Sequence, residues 1–147
     1  MRDQIFISYS HADKKLKDEL LKHLSPYLRS GAITAWSDEQ LAPGGQWFDE
    51  IKTALGNTRA AVLLVSPDFL ASDFIDKEEL GPFLKEAATG GVKILWIPIR
   101  ASSFEETPLK HYQAVSPPNE PLGAKSKSDR DKAWVKVCQV IKKAVNP

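Results

Sequence analysis

The chain has 147 residues, a length that suits one domain with a sizeable core and leaves little room for two. Hydrophobic residues make up 42% and charged residues 27%, a globular composition that argues against extended disorder. The net charge of +1 favours neither nucleic acid nor a membrane surface as a partner. One cysteine excludes an intrachain disulfide, no signal peptide is expected, and the apolar runs are too short to span a bilayer. We therefore expect a single cytoplasmic domain.

Strand and helix patterns alternate along the first half of the chain. A buried strand is predicted over residues 5–8, and a helix follows that Asp13 can cap and Gly31 ends. Its apolar positions recur every four residues, at Leu16, Leu20, Leu24 and Leu28, and its polar face carries Lys15, Lys17, Asp18, Glu19 and Lys22. A second strand is predicted over residues 32–36, then a polar loop over 37–45. A short amphipathic helix follows, marked by Trp47, Ile51 and Leu55.

The second half continues the alternation. Residues 59–65 and 92–99 are apolar on both faces, as central parallel strands are. Between them a helical stretch follows Ser66 and ends at the glycines 90–91. The segment 102–124 is rich in proline, with an edge strand expected near residues 112–115. A final helix is predicted from an apolar stripe formed by Trp134, Val137, Cys138, Ile141 and Val145.

This order predicts an α/β fold, a flavodoxin-like three-layer sandwich with a central five-stranded parallel sheet. In such sheets ligands bind at the carboxyl ends of the strands, where the loops leave. Those loops are residues 8–13, 37–45, 66–73 and the segment from 100 onward.

The residues of these loops argue against three common kinds of site: a phosphate-binding glycine loop, a serine hydrolase site and a metal site. No glycine-rich phosphate loop follows the first strand, and the serines lack a nucleophile-elbow context. His11, His23 and His111 lie far apart without metal-ligand spacing, so no metal is expected. His23 is expected on the surface, and Cys138 is interpreted as a buried hydrophobe.

The helical stretch after the third strand carries two glutamates, Glu78 and Glu79. Glu79 shares a helix face with Ile75 and Phe83, so its carboxylate is expected to be partly desolvated. Two explanations for a glutamate on this mostly apolar face stay open: a functional role, or a salt bridge at the edge of the helix. Aromatic residues near the strand ends are either ring-stacking groups or core; these are Tyr9, Trp36, Trp47 and Trp96.

Taken together, these segments resemble the TIR (Toll/interleukin-1 receptor) domain family over nearly the whole chain, and bacterial members in particular. The residues that carry the resemblance are Ile5-Phe6-Ile7-Ser8-Tyr9-Ser10, Trp36-Ser37-Asp38, Leu41-x-Pro43-Gly44-x-x-Trp47, Ser66-Pro67-Asp68-Phe69-Leu70-Ala71-Ser72-Asp73-Phe74, Glu79-Leu80, Trp96-Ile97-Pro98-Ile99 and Leu109 with Tyr112-Gln113-Ala114. Small TIR domains are usually joined to other domains, so the 147 residues are expected to be one TIR domain of a longer protein.

The resemblance implies one of two activities. TIR domains either associate with one another in signalling or split NAD⁺ at the nicotinamide–ribose bond, through one glutamate on the helix after the third strand. That residue corresponds to Glu79 by the Glu-Leu pair and to Glu78 by the spacing from Phe74, and we favour Glu79. One carboxylate suffices chemically, because nicotinamide departs as a neutral molecule and needs no general acid.

The resemblance also implies the residues around the glutamate. Those expected to face the substrate are Tyr9, Ser10, His11, Asp38, Trp47, Ser66 and Phe74, and those expected in the partner loop are Leu41, Pro43 and Gly44. Phe74-Ile75 stands where many members carry Trp-Cys, which changes the wall of the pocket.

Three functions follow as hypotheses. The first is an NAD⁺ hydrolase or cyclase that is active on self-assembly in defence or signalling, with NAD⁺ as substrate and no bound cofactor. The second is a non-catalytic module that recruits other TIR domains. The third is a sensor that binds a nucleotide without cleaving it.

Overall fold

The computed structural model describes residues 4–37, 58–71 and 80–146. Four strands form a parallel sheet in the order β2-β1-β3-β4, and they are β1 (Gln4–Ser8), β2 (Thr34–Ser37), β3 (Thr58–Val65) and β4 (Lys93–Pro98). The described helices are α1 (Lys14–Ser30), α2 (Pro67–Leu70), α3 (Leu80–Thr89) and α4 (Lys127–Val145). The predicted α/β fold with a parallel sheet is confirmed. The short helix predicted around Trp47 lies outside the described residues.

The segment predicted as an edge strand forms one bridge in the structure. Ala114 pairs with Trp96 of β4, and the amide of Val115 donates to the Trp96 carbonyl at 2.9 Å. Two prolines follow at 117 and 118, and a proline has no N–H to donate to a strand ladder. The described sheet therefore has four strands, and a fifth strand with complete flavodoxin-like layering stays a prediction.

Alternate residues of β3 face two separate apolar clusters. Val62 and Leu64 belong to the cluster that packs against α1 and α4, whereas Leu63 and Val65 belong to the cluster that contains Phe69 and Leu84. This alternation is the pattern of a strand covered on both faces. The apolar stripe predicted for the last helix is confirmed, since all of its members are buried: Trp134, Val137, Cys138, Ile141 and Val145.

Helix α1 ends as predicted, but its polar face is not wholly exposed. Gly31 follows the helix at φ +79°, a left-handed conformation that glycine adopts without strain. Lys17, expected on the polar face, is 4% exposed. Its Nζ lies 5.1 Å from the centre of the Tyr9 ring and 2.9 Å from Asp18. A lysine can bury its alkyl stem while its ammonium group reaches a partner, and this is why the pattern misassigned Lys17.

A backbone hydrogen bond from Gly123 connects the proline-rich segment to the chain just after β4. Its amide donates to the Ile99 carbonyl at 2.7 Å, and a Cβ added to it would lie 2.6 Å from that same oxygen. We expect Gly123→Ala to lower the free energy of unfolding by about 1–3 kcal/mol, because the backbone must move to relieve the clash. Urea unfolding measures this. Gly31→Asn is the matched control, since Asn tolerates a left-handed φ and the site is open; an equal loss in both variants would contradict the close approach.

Candidate functional site

The carboxyl ends of β1, β3 and β4 carry a polar cluster of four residues, Asp13, Ser66, Asp68 and Arg100, here called the strand-end network. Asp13 lies in the turn after β1, Ser66 directly follows β3, and Arg100 comes shortly after β4. Since β3 lies between β1 and β4 in the sheet, the three loops leave from neighbouring strands at one edge.

Asp13 is the centre of the strand-end network. Its carboxylate accepts a hydrogen bond from the Ser66 hydroxyl through Oδ2. Its Oδ1 accepts from Arg100 Nε at 3.2 Å and lies 3.1 Å from Arg100 Nη2. Asp13 is 4% exposed and Ser66 is fully buried, so the bond between them is made away from water, whereas the Arg100 side chain is 41% exposed. A buried carboxylate needs such partners to offset the loss of its hydration.

The network also holds the first turn of α2. The Ser66 hydroxyl oxygen accepts from the Phe69 amide at 3.0 Å and caps the helix. Asp68, in the same turn, accepts a hydrogen bond from Arg100 Nη2. The carboxylates of Asp68 and Asp13 raise the pKa of Arg100 above its usual value. Arg100 thus joins α2 to the turn after β1.

Asp13 differs from its predicted role as the cap of α1. It occupies the capping position, but its side chain makes no capping hydrogen bond. The carboxylate instead binds the Ser66 hydroxyl and the Arg100 guanidinium.

The residues predicted after β1 lie at the same edge and differ in exposure. Tyr9 is 5% exposed and packs in the cluster on the α1 side, and its ring makes an edge-type contact with the His11 ring at a centroid distance of 6.0 Å. The Ser10 hydroxyl accepts from the Ala12 amide at 3.3 Å. His11 is exposed. Of the predicted substrate-facing residues in the described part of the chain, His11 is therefore the most open, and Ser66 has its hydroxyl engaged inside the network.

Three members of the network, Asp13, Asp68 and Arg100, are missing from the predicted site residues. From the sequence, Asp13 is interpreted only as a helix cap, Arg100 only as the start of a loop, and Asp68 only as part of the motif that carries the family resemblance. The available signal was positional, since each lies within a few residues of the carboxyl end of a predicted strand.

The remaining predicted site residues lie outside the described part of the chain: Asp38, Leu41, Pro43, Gly44, Trp47, Phe74, Glu78 and Glu79. Leu80, which follows Glu79 in the sequence, is the first residue of α3. Helix α3 connects the parallel strands β3 and β4, so its N-terminal end lies towards the carboxyl edge of the sheet. The topology thus directs the start of α3 to the edge that carries the strand-end network.

Other groups with potential chemistry have structural surroundings. Burial raises the pKa of the Cys138 thiol to about 12, which keeps it protonated and unreactive. Trp96 is 2% exposed and donates through Nε1 to the Tyr112 carbonyl at 2.8 Å, so it belongs to the core. His23 contacts Asp131 at 3.0 Å. Within residues 4–37, 58–71 and 80–146 no His, Cys, Asp and Glu side chains gather as metal ligands, and the absence of a metal stays a prediction.

A second arginine–carboxylate pair joins α1 to α4. Glu19 accepts from Arg130 Nε at 2.7 Å and from Arg130 Nη2 at 3.1 Å, and it also accepts from Trp134 Nε1 at 3.0 Å. The hydrogen bond from Arg130, followed by the smaller contribution of Trp134, lowers the pKa of Glu19 below its usual value of 4.5. The pair stabilises the α1–α4 contact, on the other face of the sheet from α3.

The lowered pKa of Glu19 predicts a pH-dependent stability. A carboxyl with a lower pKa in the folded state stabilises above its unfolded pKa, and this stabilisation is lost as pH falls through the folded pKa. We expect Glu19→Gln to cost about 1–3 kcal/mol at neutral pH and clearly less near pH 3. Urea unfolding at both pH values measures the difference. Glu105→Gln, at an exposed position, is the control; a Glu19→Gln deficit that does not shrink in acid would contradict the ion pair.

The fold and the strand-end network define an α/β domain with a polar site at the carboxyl edge of a parallel sheet. The family model for the TIR domain matches residues 5–136, so the chain belongs to the TIR domain family. The predicted family is thereby confirmed.

The chain is also similar to individual proteins and solved structures. An uncharacterized protein, y4lF, of the bacterium Sinorhizobium fredii is 31% identical over 140 residues, which are 95% of this chain and 43% of the relative. The chain thus spans less than half of that relative's length. The TIR domain of the Toll-related receptor TRR-2 from Hydra magnipapillata superposes with a TM-score of 0.57 at 19% identity, covering 98% of each chain. The TIR domains of the activated Roq1 resistosome give a TM-score of 0.49 at 19% identity, over 97% of this chain and 83% of that one.

The similarity to the Hydra receptor domain supports the fold. The bacterial relative fits the resemblance to bacterial members. No described helix has both the length and the apolar content needed to cross a membrane.

Proposed function

We propose that this TIR domain cleaves NAD⁺ at the nicotinamide–ribose bond, giving nicotinamide and ADP-ribose or a cyclic variant, when several copies assemble. The observation that carries the proposal is the strand-end network, which holds the start of α2 at the carboxyl edge of the sheet. The chain continues from α2 into the segment that contains Glu78 and Glu79, and α3 begins at Leu80.

The proposed reaction needs little proton chemistry. The bond between the ribose C1′ and the pyridinium nitrogen breaks, and its electron pair leaves with nicotinamide, which departs neutral. Positive charge then develops on the ribose as an oxocarbenium ion, and a carboxylate held close to it lowers the energy of that state. Water attacks C1′ and releases a proton, or the adenine of the same molecule attacks to give a cyclic product. Glu79 is proposed as that carboxylate, with Glu78 as the alternative.

The proposal is tested by incubating the purified domain with NAD⁺, both dilute and clustered on a support, and measuring nicotinamide. We expect the clustered domain to release nicotinamide faster than the dilute domain does. Intact NAD⁺ in both states would contradict the proposal. If added NAD⁺ raises the melting temperature without product, the nucleotide-sensor hypothesis replaces it.

A second candidate function, a module that binds other TIR domains, is favoured by a groove on α4. The groove has a volume of about 430 Å³. Its apolar lining is formed by Val115, Pro117, Ala133, Val137 and Val140, and its polar lining by Ser116, Glu120, Lys125, Asp129, Lys132 and Lys136. Val140 is 38% exposed, which leaves apolar surface open for a partner side chain.

The module hypothesis predicts concentration-dependent association without consumption of NAD⁺. Pro43→His and Gly44→Arg in the partner loop, and Val140→Asp in the groove, are expected to weaken that association in sedimentation experiments. A monomer at all accessible concentrations would contradict it.

A further inference from the structure

We infer that Asp13 and Arg100 are positioning residues for the proposed reaction, which fix the direction in which the chain leaves β3 for the glutamate-bearing segment. The inference rests on the proposed function, since it names how the same site is kept in place. Neither residue is assigned to contact the substrate.

Helix α2 depends on outside contacts for its orientation. It has four residues, about one turn, and so short a helix is not stable by itself. Phe69 of α2 is buried in the core, and two polar side-chain contacts add to this anchoring: the buried Ser66 hydroxyl binds Asp13, and Asp68 binds Arg100. Both contacts lead to the same pair of residues, because Arg100 binds Asp13 as well.

Arg100 is itself attached to the rigid sheet. The amide of Ile99, its neighbour, donates to the Val65 carbonyl at 3.1 Å, and the Ile99 carbonyl accepts from Gly123 at 2.7 Å. The backbone on which the guanidinium stands is therefore fixed to the end of β3. The planar guanidinium can bond Asp13 and Asp68 at once, which a lysine ammonium cannot do with the same geometry.

A purely stabilising role predicts a different result from a positioning role. If the network only adds stability, removing Arg100 should resemble removing Arg130, whose pair with Glu19 has the same chemistry and joins α1 to α4. If the network positions α2, removing Arg100 should loosen α2 and slow the reaction, whereas removing Arg130 should do neither.

The amides of α2 report its attachment directly. Phe69 donates to the Ser66 hydroxyl, Leu70 to the Ser66 carbonyl and Ala71 to the Pro67 carbonyl, each at 3.0 Å. In Arg100→Gln we expect hydrogen exchange at these amides to quicken about tenfold relative to the wild type and to Arg130→Gln. Asp68→Asn, at an exposed carboxylate, should give a smaller increase in the same direction. Unchanged exchange in Arg100→Gln would overturn the inference.

Kinetics of nicotinamide release supply the second readout. We expect Arg100→Gln to lower kcat at least tenfold with KM changed less than threefold, Arg100→Lys to recover part of kcat, and Arg130→Gln to match the wild type. An equal fall of kcat in Arg100→Gln and Arg130→Gln would overturn the positioning role. If the wild type releases no nicotinamide, the proposed function fails, and the exchange of the α2 amides alone decides whether Arg100 holds α2.

Discussion

Replacing Glu79 with Gln is expected to lower the rate of nicotinamide release from NAD⁺ by about 100-fold or more. The substitution keeps the size of the side chain and removes the negative charge that would stabilise the oxocarbenium ion. Loss of one well-placed electrostatic group costs an enzyme about this factor in kcat. Nicotinamide release under saturating NAD⁺, with the domain clustered, measures the effect.

Glu78→Gln is the matched control for this prediction, because the two glutamates are neighbours in the sequence. We expect Glu78→Gln to release nicotinamide at a rate within a few-fold of the wild type and to have the same melting temperature as the wild type. The opposite result, with Glu78→Gln inactive and Glu79→Gln active, would assign the catalytic role to Glu78. Full activity in both variants would contradict catalysis by either carboxylate.

Replacing Asp13 with Ala is expected to lower the free energy of unfolding by about 3 kcal/mol. The change leaves the Ser66 hydroxyl buried without its acceptor and removes one of the two carboxylates that Arg100 binds. The buried Ser66 hydroxyl left without its acceptor accounts for most of this loss, and the Asp13–Arg100 ion pair adds a smaller amount because the Arg100 side chain is 41% exposed and keeps Asp68 as a partner. For a domain of this size we expect the melting temperature to fall by about 10 °C.

Asp68→Asn is the control for this prediction, since the Asp68 side chain is 49% exposed and also binds Arg100. An exposed ion pair contributes less than about 1 kcal/mol, so its loss should be small. Thermal unfolding of both variants measures the contrast. If Asp13→Ala and Asp68→Asn lower the melting temperature by the same small amount, the prediction is contradicted, and the burial of Asp13 adds nothing to the stability of the network.

The central strands and the last helix could be predicted because their patterns depend on local composition. Residues 59–65 are apolar on both faces and the structure covers both faces of β3. The stripe of α4 has helical spacing, and each member is buried. In both cases the hydrophobic pattern and the burial have the same physical cause, which is the removal of apolar side chains from water.

The polar interactions were harder to predict because they join distant parts of the chain. Asp13 satisfies the rule for a helix cap, yet its partners Ser66 and Arg100 are distant in the sequence and meet it only through the strand order. Lys17 and Glu19 fit an exposed helix face, but Lys17 is buried near Tyr9, and Glu19 pairs with Arg130 of α4. Periodicity cannot distinguish a solvated charge from one that a distant element neutralises.

The sequence predicts that a ligand binds at the strand-end loops, and the strand-end network lies in three of those loops. That a ligand binds there stays a prediction. The expected contacts of Tyr9, Ser10, His11 and Ser66 with a substrate stay predictions. Arg100 was overlooked because its importance arises from two carboxylates that approach it from different loops.

The most direct test of the account is to follow NAD⁺ by proton NMR with the wild-type domain clustered on a support. The account predicts that one nicotinamide appears for each NAD⁺ consumed, and that Glu79→Gln on the same support leaves NAD⁺ intact. Undiminished NAD⁺ with the clustered wild-type domain would contradict it.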